Sequence, residues 1–568
     1  MMDFNFSAKT RLNGITGKLL NNINRNWLIG LRETNPAILD MYHQRDIKPY
    51  RDLLHWSGEF AGKYITSAFF NYKATGDKEL FEYIRGFLDE LMTCQDNEGY
   101  LGCWPRNCRL TGSRPETPDQ PNGTWDSWAH YHVMYGLILW YLETENRAYL
   151  DTACKIADFF MKTFYRENGF RLVETGSTEM NLAPYHSFAM LYNVTGEKKY
   201  LDFALEIEKD FDHPTAGNYM KWALEKMEFY TCPKPRWESL HVIMGMAEMY
   251  IATGDEKYLT AAEFTLRSIL RTDVHNTGAF STEEAALGTP YRDGNVETCC
   301  VVAYDALAYD VYMQTLAADL ADFLEIAHYN ACVGYYSPTG RWSTYNTPMN
   351  GVKRSSCDSI NFQCRPGSPE LNCCSVNAPR GVAQIARWAV IEKDDCVYIN
   401  AYEALESTLP SGKVVVMGGY PFDNTVTLQL ALSGKNVALR IPQWSHKTLV
   451  TRGEETVCVT EKGYYLIERA GEETLTVTFD FSPKTLKGGD EKEGFTSVYV
   501  GPMLYAADAF DNPGYDVTDL PELDAAKLTK PEPHGRGGYT VTDGSVVLRD
   551  FASAGMTGSR YVSWLKVK

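Results

Sequence analysis

The stretch Thr253-Gly254-Asp255-Glu256-Lys257-Tyr258-Leu259 decides the fold, because it is one of several copies. Thr195-Gly196-Glu197-Lys198-Lys199-Tyr200-Leu201 repeats it closely, and Thr75-Gly76-Asp77-Lys78-Glu79-Leu80 and Thr144-Glu145-Asn146-Arg147-Ala148-Tyr149-Leu150 follow the same plan. Each copy sits between two apolar runs. Behind it the apolar residues keep helical spacing, as at Leu150, Ala153, Ala157 and Phe160, or Leu259, Ala262, Leu266 and Ile269. Glycine at the turn suits a helix C-terminal cap, and the charged residues after it suit the next helix start. The first half therefore reads as helical hairpins, roughly 50 to 70 residues apart. That spacing is too long for a tetratricopeptide or armadillo unit. A closed (α/α)6 barrel fits better than an open solenoid used for protein binding. The loops between hairpins are long and rich in Gly, Pro and Trp, as in Gly99-Tyr100-Leu101-Gly102-Cys103-Trp104-Pro105. Long loops on one side of a scaffold carry function.

The pattern changes near residue 391. Val426, Leu428 and Leu430 alternate with polar residues, as do Leu475, Val477, Phe479 and Phe481. Period two predicts strands. Turns such as Ser411-Gly412 and Pro442-Gln443 separate them, and Leu528 to Gly538 reads as a loop. The expected organisation is α + β and multidomain: an (α/α)6 barrel catalytic domain over 1–390, then a β-sandwich region over 391–568.

A chain of 568 residues needs two or three domains. Its net charge of -18 argues against nucleic acid as a partner. No apolar run reaches the ~20 residues of a membrane span. The start, MMDFNFSAKTRLNG, has no charged-then-apolar export pattern. A cytoplasmic setting is expected, where the 14 cysteines stay mostly reduced. Cys94, Cys154, Cys332, Cys396 and Cys458 read as small buried hydrophobes. The 36 tyrosines and 12 tryptophans suit a carbohydrate cleft, but also a large helical core.

Glu297 and Cys299 in Asn295-Val296-Glu297-Thr298-Cys299-Cys300 stand out, with the adjacent pair Cys373 and Cys374. Adjacent cysteines rarely bridge each other. Thiolates suit zinc, and a carboxylate can complete a tetrahedron. The spacing is not that of a zinc finger, so residue types alone leave ordinary buried thiols open.

In combination, "VETCC" (296–300), "LNCCSVNAPRG" (371–381), "RIPQW" (440–444) and "VGPMLYAAD" (500–508) resemble glycoside hydrolase family 127, the β-L-arabinofuranosidases and their relatives. The resemblance extends through most of the chain. It implies an (α/α)6 barrel followed by β-sandwich, in agreement with the periodicities. It implies a zinc ion held by Glu297, Cys299, Cys373 and Cys374, with Cys373 as nucleophile in a retaining double displacement. It also implies a glutamate acid/base upstream of the Glu-x-Cys motif. Glu284 fits by its following alanine, with Glu283 as the runner-up. His132, Tyr135 and His241 match family positions that contact sugar. Trp125, Asp126 and Trp128 are read as pocket wall or as core. Three departures leave the sugar in question: Asn181 where a third histidine is usual, Val376 where proline is usual, and the extra thiol of Cys300. The family includes members acting on other furanosides.

The expected partner is a small carbohydrate, a furanoside oligosaccharide or glycoconjugate. A homodimer through the sandwich is compatible with the sequence, although no motif marks one. Two competing functions remain at this level. A different (α/α)6 sugar enzyme, an epimerase or unsaturated uronide hydrolase, would need no thiolate cluster. A non-catalytic carbohydrate-binding relative would keep zinc only as structure.

Overall fold

The computed structural model describes residues 8–165 and 169–568. Its helical part is built from α1 (Ile15–Ile23), α2 (Glu59–Thr75), α3 (Lys78–Thr93), α4 (Asp126–Thr144), α5 (Arg147–Thr163) and α6 (Pro184–Thr195). It continues with α7 (Lys198–Glu208), α8 (Leu240–Thr253), α9 (Glu256–Thr272), α10 (Thr298–Thr315), α11 (Ala318–Ala327) and α12 (Cys373–Ala383). The even-numbered helices touch in sequence, and α12 closes back onto α2, so they form a ring. Every residue of α4 from Asp126 to Trp140 is buried, as an inner helix requires. The outer helix α3 buries only Leu80, Ile84, Phe87, Leu88 and Leu91, one stripe at helical spacing. The sixth outer place is taken by α1, which packs on α12 and α2.

The repeated turn has a physical cause. Gly76, Gly196 and Gly254 are left-handed, with φ of 70°, 71° and 68°. The side chains of Asp77, Asn146 and Asp255 cap the next helix. The threonine hydroxyl serves both sides. That of Thr253 donates to the Met249 carbonyl at 2.7 Å and accepts from the Asp255 N–H at 3.2 Å. Thr75, Thr144 and Thr195 do the same. A fifth copy, Thr315-Leu316-Ala317, makes the same two bonds but has neither glycine nor acid. There Leu316 takes the left-handed place at φ 51°, as Glu145 does at 57°. Each costs roughly 1 kcal/mol relative to glycine.

The remainder forms two sheets. One runs in the order Lys9–Leu12, Leu405–Leu409, Gly412–Gly418, Thr425–Ile441, Gly463–Phe479, Thr448–Arg452, Glu455–Val459. The other is centred on Thr496–Val500, Met503–Asp508 and Val547–Asp550. Phe422 stacks on Tyr539 with ring centroids 3.6 Å apart. The helical part ends with Ile385–Trp388, and the strand Val390–Lys393 follows. Two segments expected in the helical domain lie in the sheets: Lys9–Leu12 pairs with Leu405–Leu409, and Asn350–Gly351 with Tyr561–Val562. The expected loop at 528–538 contains the short strand Glu532–Pro533.

Barrel and sheet are joined by a buried charge cluster. Arg440 is fully buried, 2.7 Å from Glu325 Oε1 and paired with Asp322, both on α11. Trp444 Nε1 donates to Glu325 Oε2 at 3.0 Å. This is where the "RIPQW" segment goes. The cysteine expectation needs correcting. Cys94 and Cys332 are buried, but Cys154 and Cys396 are half-buried and Cys458 is exposed. Cys458 lies on the sheet-edge strand Glu455–Val459, where side chains alternate outward. Among the described residues no helix is long and apolar enough to cross a membrane.

Candidate active site

Cys373 and Cys374 are the first two residues of α12. Asn372 caps that helix by accepting from the Ser375 N–H at 2.9 Å, and Ser375 Oγ accepts from the Asn372 N–H at 3.1 Å. A helix N-terminus favours thiolate. The neighbouring inner helix α10 starts just after Glu297 and carries Cys299 in its first turn. Thr298 holds that start in place, its N–H on the Tyr345 carbonyl at 2.9 Å and its hydroxyl on the Thr344 carbonyl at 2.8 Å.

The two helix starts bring one donor atom each from Glu297, Cys299, Cys373 and Cys374 within 4.8 Å of one another. Cys373 Sγ is 3.6 Å from Glu297 Oε1 and 3.7 Å from Cys374 Sγ. Cys374 Sγ is 3.5 Å from the same oxygen and 3.6 Å from Cys299 Sγ. All four residues are buried and the cysteines are free thiols. A buried group of three thiols and a carboxylate could hold a metal ion. Cys300 lies outside the donor group, donating its thiol to the other Glu297 oxygen at 3.7 Å.

The four groups of the cluster shift one another's proton affinity. Burial acts to raise the Cys299 pKa, but the thiols of Cys373 and Cys374 and the nearby Lys63 charge outweigh it and hold it well below the ordinary thiol value. Donation to Cys299 holds the proton on Cys373. Burial does so at Cys374 and at Glu297. Lys63 is itself buried and lies 2.8 Å from Glu59, one turn earlier on α2. Burial opposes the Lys63 charge, but Glu59 and the nearby Cys299 outweigh it. Burial pushes Glu59 up to about 7.

A cavity of about 490 Å³ opens on this cluster. Its lining includes Cys373, Glu297, Glu284, Glu59, Glu238, Arg236, Tyr345, Trp56, Trp125 and Trp237. Cys373 is 8% exposed, whereas Cys299 and Cys374 are at 0%. Of the three donor thiols, only that of Cys373 lines the cavity. Glu284 faces the same space. Its Oε2 accepts from Arg236 Nη2 at 2.8 Å and its Oε1 from the Tyr345 hydroxyl. Arg236 also grips Glu238 with two bonds, of 3.0 and 2.7 Å. Glu283 turns away, accepting from Asn295 at 3.1 Å on the exposed side.

His132, His241 and Tyr135 are buried and do not line the cavity. The Trp128 ring lies 4.4 Å from His132 and 4.8 Å from His241, centroid to centroid. His241 Nδ1 is 2.7 Å from the Tyr131 hydroxyl. The Nε2 atoms of both histidines are buried without a partner. Burial lowers both pKa values, so both rings are neutral. The Tyr135 hydroxyl accepts from Arg380 at 3.5 Å. Of the tryptophan segment, Trp125 lines the cavity, while Asp126 and Trp128 are core. Asn181 is fully buried, donating to the Gly176 carbonyl at 2.9 Å and to Thr175 at 3.1 Å. Sequence reasoning missed Glu59, Lys63, Arg236, Glu238 and Tyr345. Only Glu59 and Lys63 carried a local signal, opposite charges four residues apart in an apolar helix.

Residues 24–387 match the family model described as the beta-L-arabinofuranosidase GH127 catalytic domain. A non-reducing end beta-L-arabinofuranosidase of Bifidobacterium longum subsp. longum is 23% identical over 515 residues, 80% of this chain and 75% of that protein. A solved GH127 beta-arabinofuranosidase superposes with a TM-score of 0.80 at 19% identity, covering 99% of this chain and 97% of the other. A GH127 beta-L-arabinofuranosidase from Geobacillus stearothermophilus T6 gives 0.77 at 17%, covering 98% and 100%. At these identities the two structures speak to the fold.

Proposed function

The chain belongs to glycoside hydrolase family 127, the β-L-arabinofuranosidase family, and from that premise we propose that it releases L-arabinofuranose from β-L-arabinofuranosides with retention, using Cys373 as nucleophile. The observation that carries this reading is the double position of Cys373. Its sulfur belongs to the donor cluster and also lines the cavity that holds Glu284.

The metal in this reading is zinc. Tetrahedral zinc with bonds of about 2.3 Å to sulfur and about 2.0 Å to oxygen needs ligand atoms roughly 3.5–3.8 Å apart. Four of the six separations among the donor atoms lie at 3.5 to 3.7 Å and fit that shape, and all six are within 4.8 Å. Bound zinc would supply the charge that keeps its thiol ligands ionised at neutral pH.

The steps belong to the side chains. Cys373 Sγ attacks the anomeric carbon as the bond to the leaving oxygen breaks. Glu284 gives that oxygen its proton. A thioglycosyl intermediate results. Glu284 then takes a proton from water, which displaces the sulfur from the same face the leaving group left. Two inversions give net retention. Arg236 and Tyr345 fix the Glu284 carboxylate between them. The Nε2 atoms of His132 and His241 are unpartnered and would meet a sugar hydroxyl only where the sugar reaches past the lining of the cavity; Tyr135 packs on Tyr131, ring centroids 6.1 Å apart.

The test is a panel of nitrophenyl furanosides and pyranosides, with metal content measured on the same sample. Preferential hydrolysis of the β-L-arabinofuranoside, and an adduct on Cys373 in intact mass, are expected. Turnover of a different furanoside alone would move the specificity within the family. An adduct on Cys374 would reverse the roles of the pair.

A further inference from the structure

A second cavity, of about 400 Å³, is lined by two of the chain segments that also line the first, at different residues of each. Residues 50–53 line the second cavity, and Trp56 and Glu59, farther along the same segment, line the first. Arg114 to Thr117 line the second, and Asn122 and Trp125 the first. The end of the Gly99–Pro105 loop, singled out in the sequence but unused by the chemistry above, completes the second cavity with Cys103, Trp104 and Pro105.

The two spaces differ in charge. The first gathers five carboxylates, Glu59, Glu179, Glu238, Glu284 and Glu297, against Lys234 and Arg236. The second gathers Arg45, Arg51 and Arg114 in a chain whose net charge is -18. Its acids, Asp52 and Glu116, are 79% and 66% exposed, and Asp52 is drawn to Arg365 at 3.5 Å. The Arg114 guanidinium lies 5.7 Å over the Trp104 ring; its Nε makes no hydrogen bond but stands 3.9 Å from the Glu116 carboxylate, and its Nη2 donates to the Leu53 carbonyl. Trp104 is 3% exposed, and its indole N–H is also without a partner. Arg51 reaches Gln44 Oε1 at 2.9 Å through Nε and stands 3.7 Å from Asp40 through Nη2.

We propose that the second cavity is a subsite for an anionic sugar, a uronic acid unit on the leaving-group side of the glycan. Its place in turnover rests on the glycosidase reading above; the binding itself does not. A guanidinium pairs with a carboxylate through two parallel bonds, and such pairs are the stronger kind. A phenol ring can cover the apolar face of a sugar, and Tyr50 lines the cavity. The carboxylates of the first cavity repel a uronate, so its charge sorts it into the second.

The test is calorimetry on the full-length, zinc-loaded protein with three probes: digalacturonate, neutral galactobiose and inorganic phosphate. Digalacturonate should bind at least tenfold more tightly than either of the others, and less tightly as salt rises. Binding should survive Cys373→Ser and saturating L-arabinose. Arg51→Gln and Arg114→Gln, each checked for a parental melting temperature, should weaken it at least fivefold. Arg51 is part-exposed, so its variant keeps the test valid if Arg114→Gln does not fold. Equal binding of galactobiose, equal binding of phosphate, no binding of digalacturonate, or unchanged affinity in a folded Arg51→Gln would each overturn the proposal. Uronate binding without furanoside turnover would sink the catalytic reading and leave the subsite. Turnover without uronate binding would do the opposite.

Discussion

The thiol of Cys373 lies 3.6 Å from Oε1 of Glu297, joining the starts of two neighbouring inner helices through one pair of atoms. If a tetrahedral ion sits there, both helix starts depend on it. Protein prepared without chelator should contain about one zinc per chain. Cys299→Ser and Cys374→Ser should each weaken zinc about tenfold or more in a chelator competition, because serine stays protonated at neutral pH. Cys300→Ser should keep its zinc, since that thiol faces the other carboxylate oxygen. A metal-free protein with full activity would rule the model out.

Glu284 and Cys373 should separate in kinetics. A nitrophenoxide leaves without help, whereas a sugar alkoxide needs a proton. Glu284→Gln should keep most of its first-step rate on a nitrophenyl furanoside and lose about 10²–10⁴-fold on a disaccharide. Cys373→Ser should lose activity on both. A split pattern in Glu283→Gln, with Glu284→Gln failing on both substrates, would move the acid/base role by one residue.

Arg440 should be a stability residue. Arg440→Met leaves the buried carboxylates of Asp322 and Glu325 facing each other without a cation. Removing one partner of a buried pair costs about 3–5 kcal/mol. A clear drop in the denaturant midpoint is expected. An unchanged midpoint would mean that Asp322 and Glu325 find other partners.

Glu248 should make stability pH-dependent. Burial, helped by Asp310, pushes it up to about 8, with Asn193 donating to it at 2.9 Å. The folded state then keeps a proton that the unfolded chain loses near pH 4.5. Stability from this group is full below that pH and is lost as pH rises through about 8. Glu248→Gln removes the slope. Its melting temperature relative to the parent should improve between about pH 5 and pH 9. A difference that does not change with pH would refute the shift.

Much of the fold was legible because the threonine turn is local. Its hydroxyl, the left-handed residue and the cap all lie within a few positions, so four copies could be read directly. The fifth was hidden because Leu316 stands where glycine is usual and no acid follows. The sixth hairpin was hidden for another reason: its halves, α1 and α12, are far apart in sequence. The same distinction holds at the site. The donor residues stand in short motifs, so their identity was readable. Arg236, Tyr345 and Glu284 come from three separate segments, and only folding brings them together. Cys458 misled because a cysteine on an edge strand looks, in sequence, like one in the core.

Closing the ring with α1 and α12 also sets an order of events during synthesis. The first helix is made before the others, but the inner helix it packs on lies beyond residue 372, and the strand before it must wait for residues 405–409. Until then five hairpins stand as an open arc, with apolar flanks exposed at both ends. Cys373 and Cys374 arrive on the segment that shuts the arc, after Glu297 and Cys299 are already in the growing chain. The donor set is thus completed in the same step that hides the last flanks, so any metal these four residues hold could be bound only at the end of folding, when a nascent chain is least exposed to aggregation.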